Sequence, residues 1–261
     1  MCRVIAISNR KGGVGKTALT SNLGVGLAMN GKKVLVVDAD PQGNLTSSLG
    51  IDNVDELENT LATFIEREIN ESPIEPSEYI LHNEEGVDIM PCNIKLAGMD
   101  YMIMNALSRE HLLDAFVSCV RDKYDYILID CSPSLNLVTI NVLTAVDTVI
   151  IPVEASYLSM TGLQQLLSSI GSTKRKLNRK LQVEGIVINK VNTRTNHERG
   201  IIDKLREAYG AQVKIFDAMI PESVRAKECT ANGLSIYKYD PKGKVAQAFE
   251  GLTKEVLAYG C

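Results

Sequence analysis

Arg10-Lys11-Gly12-Gly13-Val14-Gly15-Lys16-Thr17 follows the apolar run Val4-Ile5-Ala6-Ile7 and leads directly into sequence suited to a helix. Gly12, Gly13 and Gly15 carry no Cβ, so the turn can take dihedrals closed to other residues and aim successive backbone N–H groups inward. At a helix N-terminus those donors and the helix dipole favour an anion. The next two residues sharpen the reading: Lys16 suits the β- and γ-phosphates of a nucleotide, and the Thr17 hydroxyl suits one position on its Mg²⁺. The stretch from Lys11 through Gly12, Gly13, Val14, Gly15, Lys16 and Thr17 to Ala18 therefore reads as a cradle for nucleotide phosphates.

The strict spacing G-x-x-x-x-G-K-[ST] is broken at its first position by Arg10, and a second lysine, Lys11, stands ahead of the glycines. The combination Lys-Gly-Gly-x-Gly-Lys-Thr resembles the deviant phosphate loop of the ParA/MinD superfamily of P-loop ATPases. That resemblance implies ATP and Mg²⁺ as cofactors and a homodimer formed with ATP. In it Lys11 crosses the interface to the nucleotide bound by the partner subunit.

Outside the loop, short apolar runs rich in β-branched residues alternate with longer helical patterns. This predicts an α/β fold, a doubly wound, mostly parallel sheet with helices on both faces. Strands are expected at 3–8, 33–38, 87–91, 126–130, 148–153, 182–189 and 214–220. Val34-Leu35-Val36-Val37 and Tyr126-Ile127-Leu128-Ile129 are apolar at every position, as strands buried on both faces are. A first helix over 15–30 carries Leu19, Leu23 and Leu27 on one stripe, with Gly31 placed to end it. A last helix over 244–259 carries Val245, Phe249, Leu252 and Val256 on one face, which reads as core. At 261 residues and 45% hydrophobic content, the chain fits a single ATPase domain over 1–261.

Net charge is −4 and unevenly spread. From Asp52 to Asp88 twelve Asp/Glu face only Arg67, whereas Lys174 to Arg199 holds eight Lys/Arg against Glu184 and Glu198. The acidic stretch 52–86 reads as an excursion between the second and third strands rather than a separate domain, either solvated decoration, the favoured reading, or a partner-docking surface. The six cysteines are widely spaced with no Cys-x-x-Cys pair, and the chain opens directly into a core strand. Both features predict a reduced, cytoplasmic protein. No apolar run approaches the roughly 18 residues of a membrane span. His82, His111 and His197 have no metal-ligand spacing.

The second predicted strand ends Asp38-Ala39-Asp40-Pro41-Gln42-Gly43-Asn44, at the sheet edge where doubly wound folds bind ligands. The superfamily has a matching D-x-D-P-Q-x-N element. By that resemblance Asp40 positions or activates the attacking water and Asp38 supports the Mg²⁺ shell. The fourth expected strand delivers Asp130, a Walker B arrangement, on the side of the metal opposite Thr17. Cys131 reads as packing. Asn189 and Pro221, after late strands at the same edge, are the candidates for the base. The family often has Ile-Pro-Arg-Asn at the second of these, where this chain has Glu222 and Ser223. No arginine finger is evident. Lys11 supplied in trans fills that role, which makes Lys11, Lys16 and Asp40 the catalytic set and Thr17, Asp38 and Asp130 the metal set.

The resemblance is to the ParA-type, Soj-like subgroup along essentially the whole chain, as far as Ile220-Pro221, Val224-Arg225, Ala231-Asn232-Gly233 and Ile236-Tyr237-Lys238-Tyr239-Asp240-Pro241. It implies a switch that binds nonspecific DNA as the ATP dimer and segregates a chromosome, plasmid or mobile element. The resemblance further implies a ParB-like centromere-binding partner that stimulates hydrolysis and a nucleoid-associated location. Lys174, Arg175, Arg194, Arg199, Arg225 and Lys227 are the candidate DNA contacts, their charges doubled on one face by dimerisation. The alternative is a MinD-like membrane-associated positioning ATPase. That reading wants a closing amphipathic helix with a basic face. The last turns offer only Lys254 beside Glu255 and end Leu257-Ala258-Tyr259-Gly260-Cys261, so no membrane partner is expected.

Overall fold

The computed structural model describes residues 2–192 and 196–259. Eight strands form one sheet: β1 (Arg3–Ile7), β2 (Val34–Ala39), β3 (Leu81–His82), β4 (Asp88–Met90), β5 (Tyr126–Cys131), β6 (Thr148–Glu154), β7 (Gln182–Val191) and β8 (Ile220–Pro221). Their order is β3-β4-β2-β5-β1-β6-β7-β8, parallel except where β3 meets β4. The α-helices among the described residues are α1 (Lys16–Met29), α2 (Asn44–Ser48), α3 (Leu61–Ile69), α4 (Met99–Asn105), α5 (Leu112–Val120) and α6 (Leu137–Ala145), then α7 (Tyr157–Lys176), α8 (Asn196–Tyr209), α9 (Val224–Ala231), α10 (Ile236–Tyr239) and α11 (Lys244–Ala258).

Alternate residues of each central strand feed two cores. Ala6, Val37 and Ile129 pack with Phe64, Phe116, Val142 and Leu166 from α3, α5, α6 and α7. Ile5, Val36 and Leu128 pack with Leu19, Leu23, Leu27, Phe249 and Leu252 from α1 and α11 on the opposite face. The predicted doubly wound architecture is the observed one. β1 lies centrally between β5 and β6, so the crossovers diverge on either side of it and leave a crevice at its carboxyl end.

The acidic stretch is tied into the first of these cores. Phe64 meets Tyr79 and Phe116 edge-to-face, at 5.5 and 5.1 Å between ring centroids. Its last turn adds β3, two residues long and antiparallel, too short to leave a periodic signal.

The expected strand at 214–220 is largely absent. Ile186 exchanges backbone hydrogen bonds with Lys214 and Phe216. Phe216 then packs where a Cβ on Gly185 would stand, and the N–H groups of Asp217 and Ala218 turn to the Glu255 carboxylate at 3.1 and 2.8 Å. Pairing resumes only at β8.

The apolar face of α11 is core, with Val245, Phe249, Leu252 and Val256 all at or below 5% exposure. Arg3 closes its C-terminal end by donating to the Val256 carbonyl at 2.7 Å and the Tyr259 carbonyl at 3.1 Å. No helix among the described residues is long and apolar enough to cross a membrane.

Candidate nucleotide site

The turn after β1 has Gly13 at φ +77° and Gly15 at φ +85°, in the left-handed region that favours glycine. Gly15 also faces the Asn189 side chain so closely that no Cβ would fit. It precedes α1 directly, so the first N–H groups of that helix open into a cleft of about 1600 Å³ at the carboxyl edge of the sheet. Gly12, Lys16, Thr17, Ala18, Asp40, Asn189 and Pro221 all line it, with the Ser132-Pro133-Ser134 turn after β5.

Beneath the loop, Thr17 Oγ1 donates to Asp130 Oδ2 at 2.6 Å. Asp130 Oδ1 is buried and has no hydrogen-bond partner among the described residues. Burial, and next the charge of Asp38 on the neighbouring strand, raise the Asp130 carboxyl to about 8. A buried carboxylate with one orphan oxygen, a hydroxyl beside it and a second carboxylate nearby is a set of hard oxygen donors suited to a cation. Mg²⁺, which keeps few protein ligands and shares substrate phosphate oxygens, fits it.

Asp38 is fully buried and raised to about 6, chiefly by burial. It accepts the Thr46 N–H at 2.9 Å and the Thr46 hydroxyl at 2.8 Å on one oxygen, and the Asp40 N–H at 3.1 Å on the other. Its direct bonds hold the β2–α2 turn in place, so any influence on a metal acts through its charge and through Asp40. The Asp40 carboxylate lies at the cleft wall and accepts the Gln42 N–H at 3.0 Å.

Asn189 is committed to the loop through one end of its amide and to its own chain neighbour through the other. It donates to the Val14 carbonyl at 2.7 Å and accepts the Lys190 N–H at 2.9 Å. It therefore braces the phosphate turn, and Pro221, Glu222, Ser223 and Lys227 line the remaining wall on that side.

Two residues absent from the sequence reading complete the loop. Glu154, at the end of β6, holds Lys11 Nζ at 2.7 Å and Lys190 Nζ at 3.4 Å. Lys190, at φ +55°, also donates to the Gly13 carbonyl. Lys11 makes a further contact with Ser156 Oγ at 3.3 Å. A glutamate ending a buried strand at the ligand edge was the available sequence signal.

The candidate DNA residues do not form one patch. Lys174 and Arg175 end α7, whose 20 residues place them about 30 Å from the Glu154 end. Arg199 on α8, and Arg225 and Lys227 on α9, follow strands at the ligand edge. Arg225 pairs with Asp240 at 3.5 Å and Lys227 with Glu222 at 3.7 Å. Arg194 lies outside the described residues.

Compared with known proteins, residues 2–183 match the AAA domain family. The chain is 39% identical to the sporulation initiation inhibitor protein Soj of Bacillus subtilis (strain 168), over 100% of both chains. It is 37% identical to the chromosome partitioning protein ParA of Myxococcus xanthus (strain DK1622), over 98% of this chain and 88% of that one. Among solved structures, cobyrinic acid a,c-diamide synthase from Mycobacterium smegmatis with bound ADP and magnesium superposes with a TM-score of 0.86, at 31% identity over 99% of this chain and 95% of that one. ATP and Mg²⁺ are the cofactors that the cleft and these likenesses support together. With its doubly wound sheet, two-lysine phosphate loop and full-length likeness to Soj and ParA, the chain belongs to the ParA/MinD family of P-loop ATPases.

Proposed function

We propose that this protein is a Mg²⁺-dependent ATPase that dimerises on ATP and, as the dimer, binds duplex DNA without sequence preference. Its task is to segregate or position a chromosome, plasmid or mobile element, with a ParB-like protein accelerating hydrolysis. The reading places it on the nucleoid. The observation that carries the chemistry is the orphan Asp130 oxygen beside Thr17, under a glycine loop built for phosphates. The full-length likeness to the chromosome partitioning protein ParA carries the biological part.

In this reading Lys16 and the loop N–H groups hold the β- and γ-phosphates, and Thr17 and Asp130 hold the metal. Mg²⁺ there would neutralise charge on the transferred group. Asp40, fixed by Asp38, positions water in line with the γ-phosphorus. The water oxygen bonds to phosphorus as the bond to the β,γ-bridging oxygen breaks, and the water proton passes through Asp40 to the released phosphate. Lys11 leaves Glu154 and supplies positive charge to the partner subunit's nucleotide. Asn189 and Pro221 frame the base side of the cleft, and the whole of 1–261 acts as one ATPase domain. DNA contact falls to Arg199, Arg225 and Lys227, at the ligand edge where dimerisation doubles their charge.

The direct test is phosphate release and sedimentation with Mg²⁺ and ATP, ADP or ATP plus EDTA. Turnover and a dimer that both require Mg²⁺ and ATP support the reading. A monomer that hydrolyses ATP at the full rate contradicts it.

A further inference from the structure

Lys190 is the extra residue of a β-bulge. Asn189 pairs with Ile220 and Val191 with Pro221, so two steps along β7 meet one step along β8. A bulge bends its strand and re-aims a side chain, and bulges gather beside functional sites. Lys190 stands there at φ +55°, a left-handed conformation that a residue with a Cβ adopts at a cost. Glu154 is the ladder partner of Asn189 across β6 and β7, which puts the bulged lysine next to that carboxylate. The strained backbone thus delivers to Glu154 a second cation that the phosphate chemistry above does not use.

The two lysines divide the carboxylate between them. Lys11 Nζ lies 2.7 Å from Oε2 and Lys190 Nζ 3.4 Å from Oε1, while Lys190 also donates to the Gly13 carbonyl. The Glu154 side chain is partly buried, at 25% exposure, and a carboxylate so placed is costly to leave without a cation. With Glu154 as its sole partner, Lys11 would strand that charge each time it left. Lys190 keeps the carboxylate paired, and repulsion between two ammonium groups at one carboxylate loosens the hold on Lys11. Arg10, the other cation of the turn, is directed away, its Nη1 donating to Gln165 Oε1 on α7 at 2.9 Å.

Resting on the reading of the chain as an ATPase that dimerises through Lys11, we propose that Lys190 is a positioning residue for that step. It takes over Glu154 when Lys11 departs, and so sets the protein concentration at which the ATP dimer forms. In the monomer Lys190 is shared between Glu154 and the phosphate loop. In the dimer it becomes the sole cation on Glu154. Subunits enter the dimer only with Lys11 released, so the apparent affinity between subunits follows the fraction in that state. Glu154 lowers this fraction and Lys190 raises it.

The test follows dimerisation of the full chain by sedimentation across a concentration series, with Mg²⁺ and ATP saturating. Lys190→Met should raise the midpoint concentration by about tenfold or more, since release of Lys11 then strands a carboxylate. Lys190→Arg, which keeps the charge, should dimerise as the unsubstituted chain does. Glu154→Gln should lower the midpoint, and Glu154→Gln/Lys190→Met should match Glu154→Gln. That rescue separates positioning from bracing, because a lysine that merely supports the Gly13 carbonyl leaves the double variant as impaired as Lys190→Met. Should Lys190→Met not fold, Lys190→Gln takes its place with the same expected outcomes, having lost the charge and kept a donor. An unchanged midpoint in Lys190→Met, a raised one in Lys190→Arg, or no rescue by Glu154→Gln overturns the proposal and leaves the dimerising ATPase standing. An unsubstituted chain that stays monomeric with ATP removes that reading, and the proposal with it.

Discussion

Lys11 Nζ lies 2.7 Å from Glu154 Oε2, inside its own subunit. The lysine that the family resemblance sends across a dimer interface is thus held back by a carboxylate one loop away, and must exchange that partner for phosphate oxygens. Lys11→Ala should abolish ATP-dependent dimerisation and lower turnover by about 10²–10³, the usual cost of removing one preorganised charge from a transition state. Light scattering with ATP and a phosphate-release assay check both effects. A variant that dimerises and turns over normally removes Lys11 from the mechanism.

Asp38 and Asp130 lie in register on adjacent strands, raised to about 6 and about 8. An acid whose folded-state value is raised above its unfolded value binds more protons when folded. Its stabilising contribution is complete below the unfolded value of about 4 and is lost as pH rises through the folded one. Melting temperature without nucleotide should therefore fall between about pH 4 and pH 8, and Mg²⁺ with ATP should restore it at the upper end. Calorimetry across that range reads the slope.

Asp130→Asn removes the buried charge while keeping the shape. Turnover should disappear, yet the melting temperature of the nucleotide-free protein at pH 8 should rise, by about 2–4 °C for each kcal/mol of relieved burial cost. A fall in both quantities would make Asp130 a structural residue only.

Gly15→Ala meets two obstacles, a φ of +85° and the Asn189 amide in the space a Cβ needs. The backbone alone costs about 1–2 kcal/mol, and displacing Asn189 loosens the Val14 carbonyl it holds. Nucleotide titration should show ATP affinity lowered by about tenfold or more, with circular dichroism unchanged.

Arg225 and the pair Lys174 and Arg175 sit at opposite ends of the sheet. Arg225→Glu should weaken DNA binding about tenfold and reduce the salt slope by about one. Lys174→Glu/Arg175→Glu should leave both nearly unchanged. Electrophoretic or anisotropy titrations at several salt concentrations separate the two.

The phosphate loop and the sheet were legible because their signals are local. Glycines at fixed offsets, and strands apolar at every position, need no knowledge of distant residues. Asp130 was readable as the end of such a strand. What stayed hidden depends on contacts far apart in sequence. Glu154 meets Lys11 across 143 positions, and Asn189 braces Val14 from 175 positions away. The segment near 214–220 has strand composition, but Glu255 on α11 takes the N–H groups that a ladder would use. The basic residues could be counted but not placed, since only the length of α7 separates Lys174 from the ligand edge.

The most direct test of the central claim is binding to random-sequence duplex DNA with ATP, ADP or no nucleotide across a salt series. The account predicts binding only with ATP, by the dimer, weakening steeply as salt rises. No binding with ATP by protein shown to dimerise, or equal binding in all three nucleotide states, would contradict it.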